Sequence, residues 1–232
     1  VTATERAPSR TAEAIFDPLA RRYDRTNTAL TLGLDAAWRA ATAEALDAPR
    51  GGLVLDLCAG TLELTGALLA RTPTQRVVAT DRAGHMLAVG RHKAPGARAV
   101  QGCALALPFA SGAFDAATMG FGLRNLPDPV RGLAEARRVL KRGARLAILE
   151  FVHPTGALAN LAHVLGVRFV VPIVGGILGG QPGAFRYLAR TIDGFHTLEG
   201  LKTLVLSAGF TIRTARVLGP FGPAALVVGE AP

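Results

Sequence analysis

Apolar residues recur at helical spacing from Ala14 to Leu46, with Pro18 the only proline in that stretch, and predict N-terminal helices. The preceding segment, residues 1–13, is polar, carries Pro8 and Ser9, and reads as a loose arm. Beyond it the pattern changes to short apolar runs that alternate with helical ones. Leu53-Val54-Leu55-Asp56-Leu57 predicts a strand stopped by the turn-prone Ala59-Gly60-Thr61, and a helical pattern follows from Leu62 to Arg71. Arg76 to Thr80 predicts a second strand that ends at Asp81, followed by a helix from Gly84 to Lys93. Ala97 to Gln101 and Asp115 to Phe121 read as the third and fourth strands. A helix is expected from Pro127 to Leu140, opening on a proline whose missing N–H costs a first turn nothing. Arg145 to Phe151 is the fifth strand. Thr211 to Leu218 and Ala224 to Gly229 pair as a closing hairpin across Gly219-Pro220-Phe221-Gly222-Pro223. This alternation predicts an α/β fold: an open, doubly wound, mostly parallel sheet of about seven strands with helices on both faces and an antiparallel hairpin at one edge.

One segment breaks the rhythm. Leu158 to Gly180 is almost uncharged, interrupted only by His163 and Arg168, and is long enough to span a bilayer. Arg168 would sit near the bilayer centre at a cost of roughly 3 kcal/mol. Pro172 and the pairs Gly175-Gly176 and Gly179-Gly180 weaken a continuous helix. Two readings stand side by side: a lid or amphipathic surface helix over an apolar site, and a plain core helix.

Composition narrows the classes. With 50% hydrophobic and 19% charged residues among 232, the chain is not disordered. Two cysteines, Cys58 and Cys103, build neither a disulfide framework nor a complete zinc cage. No charged start followed by an apolar core is seen, so a cytoplasmic location is expected. Basic residues outnumber acidic ones, 26 to 17, for a net charge of +9. The arginines are scattered and form no basic strip interleaved with aromatics, so nucleic acid is not an expected partner.

Ligands of open α/β sheets bind beyond the carboxyl ends of the strands, and three features fall there. Val54 to Thr61 runs a strand into a glycine-containing turn at a helix start, where backbone N–H groups approach a ligand. Asp81, one strand later, is placed to accept both hydroxyls of a ribose; a helix cap is the plainer use of the same residue. Gly102-Cys103-Ala104-Leu105-Ala106-Leu107-Pro108-Phe109 can wall an adenine ring. There is neither a G-x-G-x-x-G run nor a P-loop lysine. A nucleoside site without dinucleotide or triphosphate chemistry points to S-adenosylmethionine.

The sequence resembles the class I methyltransferases, and within them the ubiquinone/menaquinone biosynthesis C-methyltransferases, from about Ile15 to the C-terminus. Residues 16–27, FDPLARRYDRTN, match that family's N-terminal signature, and residues 121–128, FGLRNLPD, its most specific motif. Arg138 to Gly143, Leu149-Glu150-Phe151, the apolar Leu161 to Gly179 and Arg186-Tyr187-Leu188 have counterparts too. The resemblance implies a methyltransferase domain over residues 14–232, with N-terminal helices over 14–50 and a lid over about 153–200. It also implies bound S-adenosylmethionine, no metal, and methyl transfer to a ring carbon of a prenylated quinol. By position Gly60 and Thr61 meet the methionine end, Asp81 the ribose, Met86 the adenine and Cys103-Ala104 the adenine edge. Gly120 lies beside the cofactor, and Asp56 and Arg82 complete the set. Arg124 is expected near the acceptor, where a guanidinium stabilises a developing oxyanion without serving as a base. Tyr23 is expected to hydrogen-bond the quinol oxygen or close the lid. A polyprenyl tail calls for an apolar groove, and the positive charge for a peripheral contact with anionic lipid; a homodimer is the expected assembly.

Some positions depart from the family pattern. Its turn reads Gly-Thr-Gly-Asp, against Gly60-Thr61-Leu62-Glu63 here, so a branched side chain stands where close backbone approach is expected. The adenine-edge Asp is replaced by Cys103, a poor acceptor. Residues 191–196, TIDGFH, also drift. These departures keep two other readings open: a different lipid or aromatic acceptor, and a non-catalytic scaffold with a degraded cofactor pocket. Among the histidines, His153 and His196 are placed to approach a substrate.

Overall fold

The computed structural model describes residues 20–180, 182–219 and 223–232. The expected arm, the beginning of the first helical stretch and the tip of the 219–223 turn lie outside the described residues. Helices α1 (Ala20–Leu30) and α2 (Leu34–Leu46) precede β1 (Leu53–Leu57), α3 (Glu63–Arg71), β2 (Arg76–Asp81), α4 (Gly84–Gly90) and β3 (Arg98–Gln101). Then come β4 (Phe114–Gly120), α5 (Pro129–Val139) and β5 (Leu140–Phe151). The strands lie in the order β3-β2-β1-β4-β5, mutually parallel, and the hairpin of β6 (Thr211–Leu218) and β7 (Ala224–Glu230) closes the sheet, with β7 antiparallel to β5. This is the expected seven-stranded α/β sheet. Its strand order reverses at β1 and β4, and a crevice opens beyond their carboxyl ends.

Both faces are buried at β1, β4, the second half of β5 and β7, which is why these strands read as near-continuous apolar runs. Leu146 and Ile148 of β5 point into one core with Leu133 of α5 and Leu201 of α9 (Leu198–Ser207). Ala147 and Leu149 point into the other with Trp38 and Leu46 of α2. Strand β5 begins five residues before its expected start, because Leu140 pairs with Phe114 ahead of a register shift. Helix α5 starts at Pro129, with the Asp128 side chain accepting from Arg131 N–H; Pro127 lies outside it.

The apolar segment is helical throughout, as α6 (Ala157–Leu165), a π turn (Gly166–Val170) and α7 (Val171–Gly179). Pro172 at the start of α7 removes one N–H donor, and the widened turn before it keeps the chain helical. The core-helix reading is wrong: only 11% of the most apolar window is buried, and Leu158 and Ile177 are 69% and 75% exposed. The glycines expected to weaken the helix instead receive a neighbour. A Cβ at Gly175 or Gly179 would lie 2.2 Å from the Phe185 ring of α8 (Pro182–Asp193), so that ring beds directly on the α7 backbone.

Candidate active site

The turn after β1 is built from left-handed residues. Cys58, Gly60 and Leu62 have φ of 55°, 51° and 65°, a conformation free of steric cost only for the glycine. Strand β2 holds the turn in place: Ala59 N–H donates to Thr80 O at 3.1 Å, and Gly60 N–H to Asp81 Oδ2 at 2.8 Å. The αL geometry turns the Leu62 side chain into a cluster with Ala79, Leu87 and Ala94, away from the crevice. The branched residue therefore does not obstruct the site. Gly90 completes the fit, since a Cβ there would lie 2.5 Å from the Thr61 carbonyl carbon.

A first chamber of about 150 Å³ opens above this turn. All nine residues expected at the cofactor line it: Asp56, Gly60, Thr61, Asp81, Arg82, Met86, Cys103, Ala104 and Gly120. Their chemistry is divided. Asp56 is fully buried and accepts from Thr65 Oγ1 at 2.6 Å and Thr118 Oγ1 at 2.8 Å, bracing α3 and β4. Burial outweighs those hydrogen bonds and raises its pKa to about 6. The Thr61 hydroxyl donates to Asp24 of α1 at 2.5 Å, so its proton is committed to α1. Asp24 also pairs with Lys93, and Lys93 with Glu63 at 2.6 Å, which ties α1 across the chamber's edge. Asp81 accepts from Gly60 N–H and, at 2.8 Å, from Ala83 N–H, and a carboxylate has further lone pairs for a ligand. Cys103 forms an isolated bridge with Ala106 and stands half-buried in the wall. The Cys58 thiol, also in the wall, has its pKa raised by burial and by nearby carboxylates, which opposes thiolate chemistry.

A second chamber, about 290 Å³, lies between α1, α2 and the apolar helical segment. Its floor is aromatic. Phe121 and Phe151 have ring centroids 4.7 Å apart, and the Trp38 ring stands edge-on to Phe151 at 6.1 Å. Ala159, Val167 and Val171 of the apolar segment form the opposite wall. Arg124 lines this chamber as expected, yet its side chain is 1% exposed and already paired. Its Nη1 donates to Glu150 Oε1 at 2.7 Å and to Phe121 O at 2.5 Å. Its Nε–H is buried without a partner among the described residues. Of the histidines, His163 lines the chamber while His153 and His196 do not. Tyr23, Arg39 and Phe121 line both chambers and form the junction between them.

Sequence reading missed Arg39, Trp38, Glu150, Asp24 and Lys93. Arg39 is held by Asp35 one helical turn earlier at 2.5 Å, and its guanidinium lies 5.9 Å from the Phe121 ring centre. The pair sits at i and i+4 in an apolar helix, the spacing of an ordinary surface ion pair. Only burial sets it apart, and burial is not written in the spacing.

The family model for ubiE/COQ5 methyltransferases matches residues 4–226. The chain belongs to this family. It is 39% identical over 222 residues to a demethylmenaquinone methyltransferase of Thermus thermophilus, covering 94% of this chain and all of that protein. Against a demethylmenaquinone methyltransferase of Deinococcus radiodurans it is 38% identical over 225 residues, covering 94% of this chain and 91% of that one. Among solved structures, a SAM-dependent methyltransferase of Thermotoga maritima superposes with a TM-score of 0.68 at 18% identity, over 95% of this chain and 100% of that one. That likeness establishes the class I fold; the ubiE/COQ5 match makes the chain a methyltransferase.

Proposed function

We propose that the protein transfers the methyl group of S-adenosylmethionine to a ring carbon of a prenylated quinol, with demethylmenaquinol as the acceptor. The observation that carries this reading is the pair of chambers, one polar-edged above a glycine turn and one aromatic and apolar, joined at Tyr23, Arg39 and Phe121. The first chamber suits the cofactor. Thr80 Oγ1 in its wall is buried without a hydrogen-bond partner among the described residues, and a polar ligand would satisfy it. The Gly60 turn and Met86 floor it, and a Cβ added at Gly60 would meet Met86 Cε at 3.6 Å. Asp81 takes the ribose hydroxyls, and Cys103 and Ala104 border the adenine. Bound S-adenosylmethionine supplies an electrophilic methyl on a sulfonium.

The chain's own residues do the rest. Trp38, Phe121 and Phe151 receive the quinol ring, and the apolar wall excludes water from it. The Arg124 guanidinium lies 5.5 Å from the Phe151 ring centre, and its positive charge stabilises the acceptor oxygen, where negative charge grows as the ring carbon becomes nucleophilic. Glu150 holds that guanidinium in place, and Tyr23 closes the junction. The exposed apolar face of the 157–179 helical segment lies on the membrane surface and admits the polyprenyl tail, assisted by the net charge of +9.

The decisive experiment incubates purified protein with S-adenosylmethionine and demethylmenaquinol and identifies the product by mass spectrometry and NMR. Ring-carbon methylation is expected. Asp81→Ala should bind the cofactor about tenfold to a hundredfold more weakly by calorimetry, from the loss of charge-assisted hydrogen bonds. Cofactor binding without transfer would exclude this acceptor; no binding at millimolar cofactor would overturn the reading.

A further inference from the structure

Three side chains with no part in the reading above converge where the loop after β5, helix α6 and the end of α8 meet. His153 lies in that loop, and its backbone is fixed: its N–H donates to His196 O at 3.0 Å, and it bridges to Thr197. His163 projects from α6, and Asp193 is the last residue of α8. The two imidazole rings are 4.4 Å apart between centroids. Asp193 Oδ1 stands 3.7 Å from His153 Nε2 and 4.0 Å from His163 Nε2. One ligand atom from each residue lies within 4.8 Å of the other two.

These separations are too long for hydrogen bonds, and no other described residue satisfies the deepest member. The His163 side chain is 6% exposed, and its Nε2 is buried with no partner among the described residues. A buried imidazole nitrogen left unsatisfied beside a second imidazole and a carboxylate calls for a ligand that accepts all three lone pairs. A proton satisfies one nitrogen; a metal ion satisfies the set.

We propose that His153, His163 and Asp193 bind a divalent transition-metal ion of the zinc type. Two imidazole nitrogens and one carboxylate oxygen are a donor set that such ions accept. Donors at zinc bonding distance stand about 3.3–3.6 Å apart in a tetrahedral arrangement, so closure onto an ion needs shifts of about 1 Å or less. Asp193 is 62% exposed and opens the site to solvent, which supplies an entry path and a water for the fourth position. The three ligands come from three elements, so the ion fastens α6, and with it the apolar segment, to the end of β5. His163 also lines the acceptor chamber, which makes the fastened helix part of that chamber's wall. The site is independent of the methyl acceptor.

The test uses the full chain freed of metal with a chelator. Zinc is titrated by calorimetry and cobalt by its visible absorption, and amide hydrogen exchange over residues 157–165 is followed with and without zinc. One equivalent of zinc per chain is expected, with slower exchange in α6. Asp193→Asn and His153→Asn, both at solvent-accessible side chains, should retain the metal-free melting temperature and weaken zinc binding about tenfold or more. The inference is overturned if the wild-type chain binds no zinc at millimolar concentration, or if both variants bind as tightly as it does. It is overturned equally if zinc binds and α6 exchange does not change.

Discussion

At the scale of single residues, the site rests on buried charges whose partners are fixed by geometry. Arg124 and Glu150 are both essentially out of water, joined at 2.7 Å. Glu150→Gln leaves the guanidinium buried without its counter-charge. It should lower unfolding free energy by about 3–5 kcal/mol in urea titration. Asp56 shows the opposite economy. Burial raises its pKa from 3.8 to about 6, so the folded protein binds its proton more tightly than the unfolded chain. The sign follows: stability from this group is fully present below the unfolded pKa and falls as pH rises through the folded one. At 1.36 kcal/mol per pH unit this is about 3 kcal/mol. Asp56→Asn removes the dependence. Its stability relative to the wild type should therefore rise by about that amount between pH 4 and pH 7, measured by denaturant titration. Asp115, Glu135 and Glu230 have lowered pKa values from ion pairs and backbone or side-chain hydrogen bonds, but they contribute equally to both proteins and cancel.

At the scale of elements, two close approaches position the chambers. Gly90 at the end of α4 lets the Gly60 turn lie against the helix. Gly90→Ala would drive a methyl into the Thr61 carbonyl, so cofactor affinity by calorimetry should fall about tenfold or more while the sheet survives. Gly175 and Gly179 do the same for the apolar segment by admitting Phe185. Gly175→Ala overpacks that contact and should cost about 1–3 kcal/mol, read as a lowered melting temperature. Strand and helix positions were legible because alternation and periodicity report burial directly. Gly175 and Gly179 were legible only as helix breakers and Gly90 not at all, because a sequence does not say which group arrives opposite a missing Cβ.

For the whole molecule, an apolar helical face stands in water on a chain of net charge +9. Ile173 and Ile177 are 57% and 75% exposed on it. Replacing both with Asp should change stability by less than about 1 kcal/mol, since exposed positions carry little packing energy. The same pair should abolish sedimentation with anionic liposomes, while cofactor titration is unchanged. Retained liposome binding would remove this face from the proposed membrane contact.

What the sequence determined by itself was the sheet, its mostly parallel strands implied by alternation, the hairpin at its edge, and the glycine turn, acidic strand end and 102–109 loop gathered beyond the strands. Those follow from local rules: apolar period, turn chemistry and the crevice at strand ends. The tertiary structure decided how charges and backbone were used. It turned Leu62 away through a left-handed backbone, gave Arg124 to Glu150, and spent the Thr61 hydroxyl on Asp24. It also placed Arg39 between the chambers and brought His153, His163 and Asp193 together from 40 residues of separation. Each outcome depends on which distant groups share a dry volume, and desolvation acts on that volume rather than on order along the chain.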